Sequence, residues 1–388
     1  MTDMPAKDHD RHIIPLLASF YFLHYATLGI IFPLSGYFFK ERGFTGTEIG
    51  IFLAIFPFAK FAVTPLWTEY FSRISRRNLF ISFCIFCSSV SLIPLAFFNS
   101  RVLVVFIMII FAFSRAGIIP VMDSIAVSLD GRIPYGRMRL FGSMGFIATS
   151  ITAGFMIDRF GLNSFIWTFM TAGLLSVIPA SRLVYDRPVF RKKSADEKKM
   201  TPELTLFFVG LTLYLTSFSF LSNFLNIKTA SAGLSQTQAG YMWSIGVVSE
   251  IIFFFFSEKI TKIIPIKTLI LASIFLGGIR YLVTGFADSF VSLFLISTFH
   301  GFAYGTFHIG IMSYIHRCVP ERLKLKAQTM YSGVGYGLGT IIGSVVSGVV
   351  YDIANVRMVF VTAFFFCIVS IIILYLFVKI EDVNVCEN

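Results

Sequence analysis

The chain has 388 residues, of which 56% are hydrophobic and only 14% charged, with a mean hydropathy of +0.79. So few polar groups cannot cover a soluble domain of this size, which excludes a water-soluble enzyme or binding module. Lys and Arg outnumber Asp and Glu by 32 to 21, and the net charge of +11 would suit a nucleic-acid partner if the basic residues were not distributed as they are.

Twelve apolar stretches follow one another at 13–36, 48–70, 78–98, 102–128, 140–158, 162–184, 203–227, 239–258, 266–286, 289–315, 328–350 and 355–378. Each is long enough to cross a hydrocarbon core of ~30 Å as a helix. Backbone polar groups in lipid must be satisfied within their own segment, so the spacing predicts an all-α membrane bundle. The first stretch is too long for a secretory signal and lacks a small-residue cleavage pattern, so it counts as the first span. Of the 32 basic residues, 23 lie in or beside loops on the amino-terminal side and 6 on the other, with Lys60, Arg115 and Arg280 inside spans. That bias predicts cytoplasmic termini and accounts for the basic excess without nucleic acid.

In the first six spans, Lys60 falls midway along span 2 and Arg115 midway along span 4. Both are too deep to reach water easily, and two cations at one depth repel unless something negative lies between them. They are expected to bind an anionic substrate group, most simply a carboxylate, the Arg as a fork and the Lys as a point charge. The alternative is that internal acids neutralise them as structural pairs. Asp123 is counted with this site, although eight residues past Arg115 it lies ~12 Å nearer the cytoplasm and roughly 80° around the helix. His24 is expected to pack. Glu69 sits at the cytoplasmic end of span 2, where solvation is cheap. Cys84 and Cys87 form a C-x-x-C inside span 3 with no second pair, read as packing; the five cysteines make no disulfide framework.

The polar stretch 186–202 divides the chain into halves, 1–185 and 203–388, and is expected to be a cytoplasmic linker. A shift of 194 residues places Gly145 on Gly339, Ser150 on Ser344, Gly154 on Gly348 and Asp158 on Asp352, which supports duplicated six-helix halves. Span 11 adds Gly335, Gly339, Gly343 and Ser347 at intervals of four, a row that lets another helix approach closely.

In the second half, Glu250 lies midway along span 8, with Trp243 and Gly246 on the same helical face. Arg280 lies in span 9. His300, Tyr304 and His308, four residues apart, form a polar stripe on span 10. A membrane carboxylate near His and Arg is the chemistry of a proton relay, so Glu250, Arg280, His300 and His308 are the expected coupling residues. Trp243 and Tyr304 are expected beside the substrate. A static ion pair of Glu250 with Arg280 is the competing expectation. No G-x-x-x-x-G-K-S/T is present, so transport would be driven by a gradient, with no cofactor.

Several segments carry a family likeness: PVMDSIAVSL (120–129), YGRMRLFGSMGF (135–146), GYMWSIGVVSEIIFF (240–254), HGFAYGTFHIGIMSYI (300–315) and AQTMYSGVGYGLGTIIGSVVSG (327–348). With these the chain resembles the major facilitator superfamily, most of all the 3-phenylpropionate permease group and more distantly lactose and nucleoside proton symporters. The superfamily signature after helix 2 is degraded to TEYFSRISRR (68–77), which leaves Arg73, Arg76 and Arg77 and points to Glu69 as a gate partner. Arg137 and Arg139 are expected to serve a cytoplasmic gate or topology. The resemblance implies two pseudo-symmetric bundles rocking about a central site in the cell inner membrane. It also implies proton-coupled uptake of a small organic anion such as a phenylpropionate, in a protein that works as a monomer. The acid, Arg and His on helices 8, 9 and 10 are similar to the lactose permease layout, although no carboxylate lies within span 10. A neutral sugar or nucleoside symporter, an efflux antiporter and a non-transporting sensor remain open.

Overall fold

A computed structural model describes residues 6–128, 134–183 and 201–377. Among them there is no strand. Twelve helices are long and apolar enough to span a bilayer: α1 Ile13–Glu41, α2 Gly46–Arg73, α3 Arg77–Ala96, α4 Arg101–Val127, α5 Tyr135–Phe160, α6 Ser164–Arg182, α7 Pro202–Ser231, α8 Gln236–Phe255, α9 Ile266–Phe286, α10 Phe290–Arg317, α11 Glu321–Ile353 and α12 Val356–Leu376. They form two pseudo-symmetric six-helix bundles. The face where α1 begins and α12 ends is called the terminal face below, and its opposite the far face. Residues 186–200 of the expected linker and the tail from 378 lie outside the described residues.

Hydropathy locates only the part of a helix that lipid covers, so helices with polar ends run longer than expected. Two of these differences are at the terminal face, where α5 starts at Tyr135 rather than 140 and α11 at Glu321 rather than 328. The first of these brings Arg137 and Arg139 inside the helix. Three spans are also irregular. α4 is interrupted at Ala116 and Gly117, where a methyl on Gly117 would meet the Trp67 ring at 2.2 Å. α10 and α11 each contain a π-helical stretch, Gly301–Gly305 and Tyr331–Leu338.

At the far face the two halves are clamped at two symmetry-related places. The amino end of α2 carries a capping box, in which Thr45 Oγ1 accepts from Glu48 N at 3.2 Å and Glu48 Oε2 accepts from Thr45 N at 2.9 Å. The next two amides donate to a carboxylate of the other half: Gly46 N to Asp352 Oδ1 at 2.6 Å and Thr47 N to Asp352 Oδ2 at 2.7 Å. α8 repeats the device. Ser235 and Gln238 form the box, while Gln236 N and Thr237 N donate to Asp158 at 3.0 and 2.8 Å. Thr47 and Thr237 add hydroxyl bonds to the same carboxylates at 2.7 and 2.6 Å. Every amide that a helix start leaves unsatisfied thus has a partner, half of them from across the interface. The helices can come this close because small residues line the seam: a methyl on Gly348 would sit 2.1 Å from Gly46 O, and one on Gly154 2.3 Å from Gln236 O. The sequence shift that pairs Asp158 with Asp352 therefore marks two halves of one clamp.

Near the far end of α7, the Lys228 side chain is 3% exposed and is paired with Asp288 in the α9–α10 connection. That ammonium holds the Asp288 carboxyl below the usual carboxylate range. Its contribution to stability is therefore present at neutral pH and fades as pH falls through the acid range. Asp288→Asn is expected to lower the melting temperature at neutral pH, with the difference shrinking only below the ordinary carboxyl range, by ~pH 2, as the paired carboxyl is protonated. Thermal melts at the two pH values check this; an equal loss at both would mean that packing, not charge, is what the substitution removes.

Candidate functional site

In the second half, α8, α9 and α10 bring Glu250, Arg280 and His300 into one chain. Arg280, 3% exposed, has Nη1 3.0 Å from His300 Nδ1, and His300 Nε2 lies 3.4 Å from Glu250 Oε2. No ion pair joins Glu250 to Arg280 directly; the imidazole stands between them. Because the guanidinium can only donate, Nδ1 must accept, which leaves the ring proton on Nε2, facing the carboxylate. The Glu250 side chain is 21% exposed, and Oε1 has no partner among the described residues. Gly246 makes room for the imidazole, since a methyl there would lie 3.2 Å from His300 Cβ.

The stripe on α10 is a stacked column. His300 and Tyr304 lie 5.3 Å apart at 4°, and Tyr304 and His308 6.3 Å apart at 23°. The π turn inside this column frees backbone groups, and two are satisfied from neighbouring helices. Gly301 N donates to Ser249 Oγ at 2.8 Å, and Tyr214 OH donates to Ala303 O at 2.8 Å. From α11, Tyr336 OH donates to Tyr304 OH at 2.8 Å and lies 3.3 Å from Tyr331 OH, which is 2.9 Å from His308 Nδ1.

In the first half, Asp123 accepts from Tyr21 OH at 2.6 Å and lies 3.8 Å from Arg139 Nη1. Arg139 also donates to Tyr25 OH, and Tyr135 hydrogen-bonds to both Asp123 and Arg139. Tyr21 and Tyr25 stack at 6.0 Å and 13°. Lys60 is exposed, and its side chain makes no hydrogen bond or ion pair among the described residues; the charges of Asp123 and Arg139 act on it. The two networks face each other: Arg139 acts electrostatically on both Tyr304 and His308.

Arg115 is elsewhere. It is 5% exposed inside the first bundle, donating to Thr27 Oγ1 at 2.7 Å and lying 3.2 Å from His24 Nε2, between the rings of Phe111 and Phe169. No contact joins it to Lys60 or Asp123 among the described residues. Trp243, 8% exposed, donates to Asn226 Oδ1 at 2.8 Å and meets Phe146 of the other half at 6.4 Å. Glu69 is engaged within its own helix by Arg73 at 2.5 Å. Two surface hollows, of about 420 and 610 Å³, lie at the far face beside Arg42 and Lys228 and include no residue of either network. Among the described residues no cluster of His, Cys, Asp or Glu is placed to hold a metal.

Tyr21, Tyr25, Arg139, Tyr331 and Tyr336 were not expected at the site. Tyr21 and Tyr25 share a helical face four residues apart, a signal the sequence does carry. Tyr331 and Tyr336 carry no such signal, because five residues along an α-helix is roughly 140° of rotation.

The profile of the MFS_1 like family matches residues 15–362. The probable 3-phenylpropionic acid transporter of Escherichia coli is 25% identical over 354 residues, 87% of this chain and 90% of that protein. The maltose permease of Geobacillus stearothermophilus is 22% identical over 380 residues, 96% of this chain and 95% of that one. Among solved structures, a point mutant of the nucleoside transporter NupG superposes with a TM-score of 0.83 at 18% identity, covering 95% of this chain and all of that one. A bacterial homologue of the human lysosomal transporter Spinster, in an inward-facing and unoccupied conformation, gives 0.70 at 14%, covering 97% of each chain. With twelve spans in two bundles, a polar centre between them and a family match over most of its length, the chain belongs to the MFS_1 like family of major facilitator superfamily transporters.

Proposed function

We propose that this membrane transporter takes up a small organic anion, an aromatic carboxylate of the phenylpropionate kind, together with protons by alternating access. The observation that carries the proposal is Lys60, an exposed ammonium midway along α2 with no side-chain partner among the described residues. An unpaired charge at that depth is costly unless it serves a ligand or a water-filled path. The substrate carboxylate would sit between Lys60 and the Arg139 fork, its ring against Tyr25, Phe146 and Tyr304. Arg115 is assigned to holding α1 against α4 through His24 and Thr27, rather than to the substrate. Glu250 takes the proton, because Arg280 occupies the only free nitrogen of His300. Both termini face the cytoplasm of a bacterial-type inner membrane, and one subunit is sufficient.

A monoanion that moves with one proton carries no net charge. The pH gradient alone then drives accumulation, tenfold or ~1.4 kcal/mol per pH unit. The membrane potential adds ~2.3 kcal/mol per 100 mV only when a further charge moves. Proteoliposomes holding the purified protein are expected to concentrate 3-phenylpropionate under an imposed pH gradient, unaffected by a clamped potential. Concentration of maltose or a nucleoside with a response to potential would replace the anion with a neutral solute. Accumulation against the opposite pH gradient would make the protein an efflux antiporter, and binding without flux a sensor.

Lys60→Gln is expected to weaken 3-phenylpropionate binding ~10-fold or more, the loss of one charge-assisted hydrogen bond, and to leave its uncharged amide within about twofold. Calorimetric titration of both ligands checks it. Equal losses would give Lys60 a structural role.

A further inference from the structure

We propose that Tyr304, Tyr336 and Tyr331 form a hydroxyl chain that carries the proton between Glu250 and His308. This rests on the proton-coupled proposal above and adds a route to it. Three contacts define the chain: Tyr304 to Tyr336 at 2.8 Å, Tyr336 to Tyr331 at 3.3 Å, and Tyr331 to His308 Nδ1 at 2.9 Å. A phenol can donate and accept at once, so each member can receive one proton while passing on another.

The direction follows from the helices. α10 runs from the far face to the terminal face, so His308 lies two turns nearer the terminal face than His300. Tyr331 is buried at 4% exposure, while His308 is half-buried. The groups facing His308 are Tyr331 and Tyr336 of α11, Tyr304 of its own helix, Glu250 of α8 and Arg139 of α5. Glu250 acts electrostatically on Tyr304, and its carboxyl is partly exposed with Oε1 free among the described residues, so it has room to turn toward that hydroxyl.

The step balances without any further reactant. The O–H bond of protonated Glu250 breaks and an N–H bond forms at His308 Nδ1. Between them each tyrosine gives up one proton and receives one, ending neutral. His308 then releases a proton from Nε2 toward the terminal face. Passage toward His308 leaves the hydroxyls pointing back toward Glu250, the orientation seen for Tyr336, which donates to Tyr304. The π stretch of α11 makes the chain possible. Bonding from residue i to i+5 brings residues five apart close together on one face, and Tyr331 and Tyr336 are five apart.

The test needs no substrate. Full-length protein in liposomes is subjected to a pH jump, and the protonated-carboxyl band that disappears in Glu250→Gln is followed by time-resolved infrared spectroscopy. Tyr336→Phe and Tyr331→Phe keep the ring and remove only the hydroxyl. Each is expected to slow deprotonation of that band ~10-fold or more, an added barrier of at least ~1.4 kcal/mol, with its amplitude unchanged. Wild-type rates in both variants would overturn the chain and leave Glu250 as the proton site. Loss of band amplitude in the variants would also overturn it, since the tyrosines would then shape the site rather than conduct. A pH jump that yields no band dependent on Glu250 would overturn the coupling proposal and the chain together.

Discussion

Glu250→Gln is expected to abolish uphill accumulation while preserving exchange of substrate between two pools. The amide has the size and neutrality of a protonated carboxyl, and its carbonyl can still accept from His300 Nε2, so the bundle keeps its packing. It cannot release a proton, however, and the carrier is fixed in the state that binds and exchanges substrate. Accumulation should fall from about tenfold per pH unit to no gradient at all, while counterflow stays within about twofold of wild type. Parallel accumulation and counterflow assays separate the two. Retained accumulation would move the proton site, and Asp123, with its side chain 28% exposed in the facing network, is the next carboxylate to test.

The fold was legible because lipid imposes it: a helix must be apolar for the width of the bilayer, and twelve such segments could be counted. The α10 column was legible for the same kind of reason, since His300, Tyr304 and His308 repeat at the α-helical interval. Gly246 and Glu250, four apart, also gave the space the imidazole fills. The remainder depended on departures from regular helix. Tyr331 and Tyr336 meet only because α11 widens into a π stretch. Asp123, separated from Arg115 by the interruption at Ala116 and Gly117, turns to Tyr21 and Arg139. Arg139 reads as a loop residue because hydropathy rises only after α5 has begun. Arg115 shows a separate limit. Depth in the bilayer follows from sequence, but whether a side chain faces the interior of a bundle or the seam between bundles depends on neighbours that no local pattern specifies.

Asp158→Asn and Asp352→Asn are expected to open the far face. Each carboxylate accepts from the middle two of the four amides at a helix start, while the capping box satisfies the outer two, so parting the halves leaves two donors on each helix without their acceptor and removes the negative charge that the positive end of the helix dipole favours. Caps of this kind contribute ~1–2 kcal/mol each. One substitution should therefore shift the balance between closed and open far face by roughly tenfold, and the pair, on opposite flanks of the seam with no shared partner, by roughly a hundredfold. Spin labels on the α3–α4 and α9–α10 connections should show a longer distance gaining population in each single variant and dominating in the double. Ala at either position should exceed Asn, because the amide oxygen still accepts one bond. A distance distribution unchanged in the double variant would mean that the small-residue seam alone closes this face. In a carrier that must open both ways, a clamp made of two weak, equal caps has a physical rationale. Each is too small to trap the protein, and together they favour the closed face enough that substrate and proton binding, rather than thermal motion, decide when it parts.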